Sequence, residues 1–338
     1  MKKNPLVIIN NEKVFKQGSE HYCDNLDMKV LPEGLSVQHD VEFIVRSSKI
    51  KGSQQLNLEN IKVASNIFKF IYFIINTFKK KRASYLLITI TPYTFVSFLI
   101  LFLFRKKTYI YLMSSGHEEW KHILGSWSVW IFHAMYLIVS KNSSVIVCHE
   151  RLFNKEKSYQ VYPSRLDSKW FTNHKEISTD KVKLLYVGRI NPEKGIYDFL
   201  KMYDQVKIKT EFSIIGDSKN LKVNNNNIRL SGYVSEPQSL IDVYDAHNIM
   251  ILPSFTEAHP YVVDECLSRI RPVIIFEDIS YIIRDKKGVF VSKRNIESFS
   301  KTLEYVIKNY YEIQKDIKKN KLPTKQDMLD KFSTILTY

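Results

Sequence analysis

The chain has 338 residues, 44% hydrophobic and 25% charged; this excludes global disorder and exceeds one ordinary core, so two α/β domains are expected. Its formal net charge of +15 calls for an anionic partner, such as a phosphorylated ligand or an acidic membrane surface, and without an RRM or zinc-finger signature no nucleic acid is expected. Cys23, Cys148 and Cys266 lie far apart, odd in number and without metal-ligand spacing, which argues against a disulfide framework or zinc site and for a reducing cytoplasm.

After Met1-Lys2-Lys3, residues 6–9 form an apolar run too short for a secretory signal and read as a first strand. Further strands are expected at 41–45, 85–90, 108–113 and 144–147, alternating with helical stretches, the pattern of a parallel sheet flanked by helices. Residues 61–78, aromatic and aliphatic and ending in Lys79-Lys80-Lys81-Arg82, suit either a core helix with a cationic cap or a membrane-lying helix; the core helix is the expected reading for most of the stretch, with the basic end free to meet lipid phosphates. Residues 83–104 are uncharged and about long enough to span a bilayer. Pro92 divides them, however, and strand, turn and buried helix is the expected parse, ahead of Arg105-Lys106-Lys107.

Between about 162 and 180, Pro163, Ser164, Asp167, Ser168, Asn173 and Ser178 replace periodic hydrophobics, marking an interdomain linker. Beyond it, strands are expected at 182–187, 211–215, 227–230, 249–252 and 272–276. Ile196, Phe199, Leu200 and Tyr203 fall at helical spacing, and an amphipathic helix over 295–307 carries Phe299, Leu303 and Val306 on one face. This is a second doubly wound unit.

Two segments of that unit carry chemistry. In residues 184–195 a buried strand runs into Gly188, Arg189 and Lys194 ahead of a helix. Ligands of α/β sheets collect at the carboxyl ends of strands, where these cations converge. Arg189 offers a forked set of donors to a diphosphate and Lys194 a mobile point charge, and neutralising a leaving diphosphate stabilises charge that grows as a sugar bond breaks. In residues 251–265 a second strand passes through a loop carrying Glu257 into a helix carrying Glu265, with Pro260 suited to its first turn. One carboxylate can then meet a sugar and the other a ribose, while backbone N–H groups near His259, Pro260, Tyr261 and Val262 add to phosphate binding. Asp264 competes as an exposed acid, pointing roughly one hundred degrees away from Glu265.

Together with Ile215-Gly216, Gly232-Tyr233-Val234, Pro253-Ser254, Pro272-Val273-Ile274 and Gly288-Val289-Phe290-Val291, these segments resemble the retaining GT-B glycosyltransferases of family four, glycosyltransferase group one. The resemblance covers roughly 182–291. It implies two Rossmann-like doubly wound α/β domains facing a cleft, a UDP- or GDP-linked sugar donor, retention at the anomeric carbon and no obligatory metal or cofactor. Carried over by position, Arg189 and Lys194 match the diphosphate pair, Glu257 the residue beside the donor sugar, Glu265 the ribose carboxylate, and Tyr233 and Val234 a region near the base. Ala258 and Ile270 stand where glycines are usual, and Ser164-Arg165 where Asn-Gly is common.

The expected domains are 1–165, binding the acceptor; 166–315, binding the nucleotide sugar; and 316–338, a tail crossing back to the first domain. Acceptor-side candidates are Gly18, Ser19 and His21, in a loop after the first strand, and His117 after the strand ending at Met113. The expected function is transfer of a sugar, such as a hexose, to a glycan or lipid-linked acceptor in bacterial surface polysaccharide biosynthesis, in the cytoplasm or peripherally on the inner face of its membrane. The alternatives are a GT-B nucleotide-sugar epimerase and a non-catalytic GT-B scaffold binding carbohydrate or lipid.

Overall fold

The structure, a computed structural model, describes residues 3–153, 158–217, 221–234 and 236–337, so Met1 and Lys2 lie outside the described residues. The chain forms two compact units, Met1–Pro163 with Lys325–Tyr338, and Ser164–Thr324.

The first unit contains β1 (Asn4–Gln17), β2 (Glu20–Cys23), α1 (Asp27–Ser36), β3 (His39–Ser47), β4 (Gln54–Leu56), β5 (Ile61–Ala64) and α2 (Ile67–Asn76). It continues through β6 (Ser84–Ile88), α3 (Pro92–Leu103), β7 (Thr108–Leu112), α4 (Gly116–Leu124), α5 (Ser128–Asn142), β8 (Ser144–Val147) and β9 (Ser158–Gln160). Seven of these strands form a parallel sheet in the order β5-β3-β1-β6-β7-β8-β9. Its central strands are apolar on both faces, as a sheet covered on both sides requires: Tyr85 to Ile88 and Tyr109 to Leu112 are all buried.

Residues 83–104 resolve into a strand, a turn and a helix. Thr91 and Thr94 form a reciprocal capping box and Pro92 opens α3, where its missing N–H costs nothing. Among the described residues no helix is long and apolar enough to cross a membrane.

Two expectations in this unit are corrected. Residues 61–78 are not one helix: β-branched Ile61 and Val63 belong to β5, paired with β3, and the Asn66 side chain accepts from the Lys69 N–H at 2.9 Å to start α2 afresh. Nor do Gly18 to Tyr22 follow a short strand as an open loop. β1 continues to Gln17, Gly18 turns with φ +60°, and β2 pairs back against β1.

After the second unit, α11 (Lys325–Thr337) packs on the first, with Phe332 edge-on to Tyr111 at 4.9 Å and Ser333 Oγ 3.0 Å from His39 Nε2.

The second unit contains β10 (Val182–Val187), α6 (Ile196–Tyr203), β11 (Thr210–Ile215), β12 (Ile228–Ser231), α7 (Pro237–Asp245), β13 (Ile249–Leu252), α8 (Tyr261–Ser268), β14 (Val273–Phe276), β15 (Val289–Ser292), α9 (Ile296–Lys308) and α10 (Tyr310–Ile317). Its six strands are parallel in the order β12-β11-β10-β13-β14-β15. The chain therefore moves outward in one direction from β10, then returns to β10's other side at β13, making a topological switch point between them.

Residues 162–180, read as a linker, are largely built into this unit. Leu166 and Trp170 are buried in its core. Arg269, fully buried, forks onto Asp245 at 2.9 and 2.8 Å and donates to the carbonyls of Trp170 at 2.9 Å and Thr172 at 2.7 Å. Arg271 likewise donates to Lys175 O at 2.6 Å. Polar side-chain fastening replaces the missing hydrophobic period, which is why the segment reads as irregular.

Candidate active site

The loops after β10 and β13 meet at the carboxyl edge of the second unit's switch point. Gly195 makes the contact possible: it has φ +66°, and a Cβ there would lie 2.0 Å from the Pro253 carbonyl oxygen. The Phe255 N–H donates to Glu193 O at 3.0 Å, tying one loop to the other.

This contact brings Lys194 and Glu257 together. Lys194 Nζ lies 2.7 Å from Glu257 Oε1, and Ser254 Oγ donates to the same oxygen at 2.7 Å. The two charged side chains are only 15% and 10% exposed, so little water screens them. Glu257 Oε2 carries no hydrogen bond among the described residues.

Arg189, at the exit of β10, is exposed, and its carbonyl accepts from the Tyr186 hydroxyl at 2.6 Å. Burial pushes the Tyr186 phenol well up, Glu257 pushes it further, and Arg189 opposes them, so the hydroxyl lies within the fields of both proposed donor-binding groups. Burial would also raise Glu193. The Asn191 hydrogen bond, its own backbone N–H and the Arg189 and Lys194 charges together outweigh that and hold its carboxyl below the usual range.

Two side chains with no signal in the sequence fix the Glu257 loop. The Tyr281 hydroxyl donates to the Glu257 carbonyl and accepts from the Glu257 N–H at 3.2 Å. Arg294 Nη2 donates to Pro253 O at 2.7 Å and Ser254 O at 2.9 Å, its Nε to Asp278 at 2.7 Å, and its guanidinium lies 3.9 Å from the centre of the Phe255 ring. Both come from around β14 and β15, far along the chain, so neither lies within a recognisable motif.

Helix α8 starts at this same edge, with Pro260 as its N-cap. His259, Tyr261 and Val262 accompany it there. Asp264 is not an exposed acid: it is buried, 3.0 Å from His259 Nε2 and 2.7 Å from Lys286 Nζ. Burial holds the His259 imidazole below its usual pKa despite Asp264, so His259 donates a neutral hydrogen bond and Lys286 is the ionic partner. Glu265 is buried and accepts from the Tyr244 hydroxyl at 2.9 Å, an orientation a surface carboxylate would not keep. Tyr233 is exposed beyond β12, with Val234 half-buried against the core.

The two unusual non-glycines behave differently. Ala258 does not have positive φ, so its backbone makes no demand for glycine. Ile270 has φ +59° and closes α8 in a Schellman motif, with Ile270 N–H bonding Leu267 O at 2.9 Å and Arg271 N–H bonding Cys266 O at 3.1 Å. A β-branched residue in that conformation is strained, and burial of its side chain offsets the cost.

In the first unit a cavity of about 300 Å³ opens at the carboxyl ends of β6 and β7, beside Asn11 midway along β1, lined by Thr89, Leu112, Met113, Trp120, Ile123 and Phe132 among others. Thr89 has φ +58°, a strained conformation for a β-branched residue. The acceptor-side candidates are not gathered there. Gly18 and Ser19 form the exposed hairpin turn and His21 lies on β2 with Nε2 buried and unpartnered, while His117, on α4, puts Nε2 3.1 Å from His133 Nδ1. Burial and then His133 push the His117 pKa down.

Residues 168–322, nearly all of the second unit, match the family model described as glycosyl transferases group 1. The chain therefore carries a glycosyltransferase group 1 domain. It is accordingly an enzyme of the glycosyltransferase class. No curated protein matches it in sequence. Among solved structures, HepE of Anabaena in complex with UDP is 11% identical with a TM-score of 0.72, covering 98% of this chain and 99% of that one. The lipopolysaccharide outer core galactosyltransferase WaaB in its apo form is 14% identical with a TM-score of 0.65, covering 98% and 99%. A sucrose-phosphate synthase of Thermosynechococcus elongatus is 12% identical with a TM-score of 0.65, covering 99% and 95%. These likenesses extend over both units and give the fold as GT-B, with two Rossmann-like domains.

Proposed function

We propose that this glycosyltransferase moves a sugar from a nucleoside-diphosphate sugar, UDP- or GDP-linked, to a glycan or lipid-linked acceptor, with retention at the anomeric carbon, in building a bacterial surface polysaccharide. The observation that carries the donor reading is the Lys194–Glu257 pair at the switch point of the second unit. Arg189 and Lys194 bind the diphosphate and neutralise it as it leaves. Glu257, oriented through Oε1, is left with Oε2 to accept from a sugar hydroxyl; its role is donor positioning and transition-state stabilisation. Glu265 accepts from the ribose, with Tyr233 and Val234 beside the base, and the start of α8 near His259 to Val262 faces the phosphates. The HepE complexes with UDP and UDP-glucose make a uridine nucleotide the first donor to try.

A panel of nucleotide sugars screened for protection against thermal unfolding tests this reading, because a ligand that binds the folded state raises its stability. One class of donor is expected to raise the melting temperature, and radiolabelled transfer from it to require an acceptor. Arg189→Ala and Glu257→Gln are each expected to lower kcat by roughly 10²–10³-fold with the fold retained. Undiminished transfer by both variants refutes the site; donor turnover without an acceptor points to epimerisation instead. Retention is checked by NMR of the new anomeric linkage.

A further inference from the structure

Exposed apolar side chains are unevenly distributed. Of the twenty-three large hydrophobic residues that are exposed among those described, thirteen fall between Phe68 and Ile138. They follow helical spacing. On α2 the exposed residues include Phe68, Tyr72 and Ile75, opposite buried Phe70 and Ile74; on α3, Leu99, Phe102 and Leu103, opposite Phe98 and Leu101; on α5, Trp130, Leu137 and Ile138, opposite Phe132, Met135 and Val139. Each helix thus carries two apolar stripes, one in the core and one facing outward.

Topology places the outward stripes side by side. The crossovers β5 to β6, β6 to β7 and β7 to β8 all step in the same direction along a parallel sheet, so right-handed connections put α2, α3 and α5 on one face. α3 touches both of the others. All three helices run antiparallel to the strands, so their C-termini share one edge of that layer. There the basic runs lie, with Lys79, Lys81 and Arg82 after α2, Arg105 and Lys107 after α3, and Lys141 in the last turn of α5, all exposed. Phe78 and Phe104 meet at 5.0 Å, and Lys106 lies 4.6 Å from the centre of the Phe78 ring, joining the first two runs.

We infer that the outer face of α2, α3 and α5 is a membrane-docking surface that rests on an anionic lipid leaflet, its stripes dipping into the interface and its basic edge meeting headgroup phosphates. Helices of 10, 12 and 15 residues are too short to span a bilayer but suit lying flat at its surface. Charge selects the occupant. Residues 67–142 hold ten Lys and Arg against two Glu, an excess of eight positive charges, which favours an anionic surface and opposes pairing of this face with a second copy of itself. The exposed Trp130 and Tyr72 suit the boundary between headgroups and acyl chains. This surface goes beyond the donor-site reading and depends on none of its residues.

The test is flotation of the full chain with vesicles of phosphatidylcholine alone or of phosphatidylcholine mixed with phosphatidylglycerol. Strong partition is expected onto the mixed vesicles only. Arg105→Gln with Lys107→Gln should weaken it by roughly thirtyfold, and Leu103→Ser with Trp130→Ser by about tenfold or more. Both double variants change exposed side chains and are expected to keep the wild-type melting temperature, which separates lost docking from lost folding. Failure of the wild type to float with anionic vesicles, or equal flotation of folded variants, overturns the inference. So does a stable dimer in sedimentation equilibrium that Leu103→Ser with Trp130→Ser dissolves, because the face would then be a self-association surface.

Discussion

Both units wind a parallel sheet outward from a central strand in the same order, yet the chemistry at their switch points and on their outer helices is opposite. In the second unit the interior holds charge: Asp245, Asp264, Glu265, Arg269 and Arg271 are all buried, whereas in the first unit Glu42 is the buried Asp, Glu, Lys or Arg among the described residues. The second unit's outer helices carry exposed ion pairs, including Lys301–Glu297 and Lys315–Glu312, where the first unit's α2, α3 and α5 carry apolar stripes. One topology therefore supports a polar, electrostatically held site and an apolar pocket beside an apolar face. The backbone order says where ligands collect; side-chain charge says which kind.

If the second unit is held by polar fasteners, breaking one should cost far more than a typical surface change. Arg269→Ala leaves Asp245 buried without its partner and frees the carbonyls of Trp170, Thr172 and Asn173, and is expected to destabilise the chain by about 3–5 kcal/mol, read as a lower midpoint of denaturant unfolding. A loss no larger than that of an exposed alanine substitution would remove the fasteners from the comparison.

Arg294→Lys keeps a charge but loses the fork that spans Pro253, Ser254 and Asp278. Displacing the Glu257 loop while leaving Arg189 and Lys194 in place is expected to lower kcat by roughly tenfold to a hundredfold with donor affinity nearly kept. A fall in affinity with kcat unchanged would make Arg294 part of the binding surface rather than a positioning residue.

The smallest effect compares a buried histidine from each unit. Burial holds His39 in the first and His259 in the second below the ordinary value of 6.5. Below that value the unfolded chain takes up protons that the folded chain refuses, so stability present at higher pH is lost as pH falls from about 6.5. Asp264, held below 3.8 by His259 and Lys286 despite its burial, keeps its contribution until far lower pH. Melting temperature should therefore drop between about pH 7 and pH 5, and His39→Gln and His259→Gln should each flatten the drop. Unchanged slopes in both variants would assign the acid sensitivity elsewhere.

Much of the fold can be read in the sequence because parallel strands buried on both faces leave unbroken apolar runs, as at Leu184 to Val187 and Ile249 to Leu252. Irregular segments hid the rest. Ile61 to Ala64 merged with the apolar helix that follows it, since only the Asn66 cap separates them. Residues 166–173 resembled a linker because their packing depends on Arg269, nearly a hundred residues later.

By itself the sequence determined the two doubly wound units, the positions of Arg189, Lys194 and Glu257 in loops after strands and of Glu265 on the helix that follows, and the basic, aromatic character of residues 67–142, because these follow from local periodicity and residue type. Only the tertiary structure decided that Lys194 and Glu257 form a pair, that Asp264 turns inward to His259 and Lys286, that Tyr281 and Arg294 hold the Glu257 loop, and that three helices expose their second apolar stripes on one face. Each of these depends on which strands become neighbours, and contacts between distant segments leave no period in the chain.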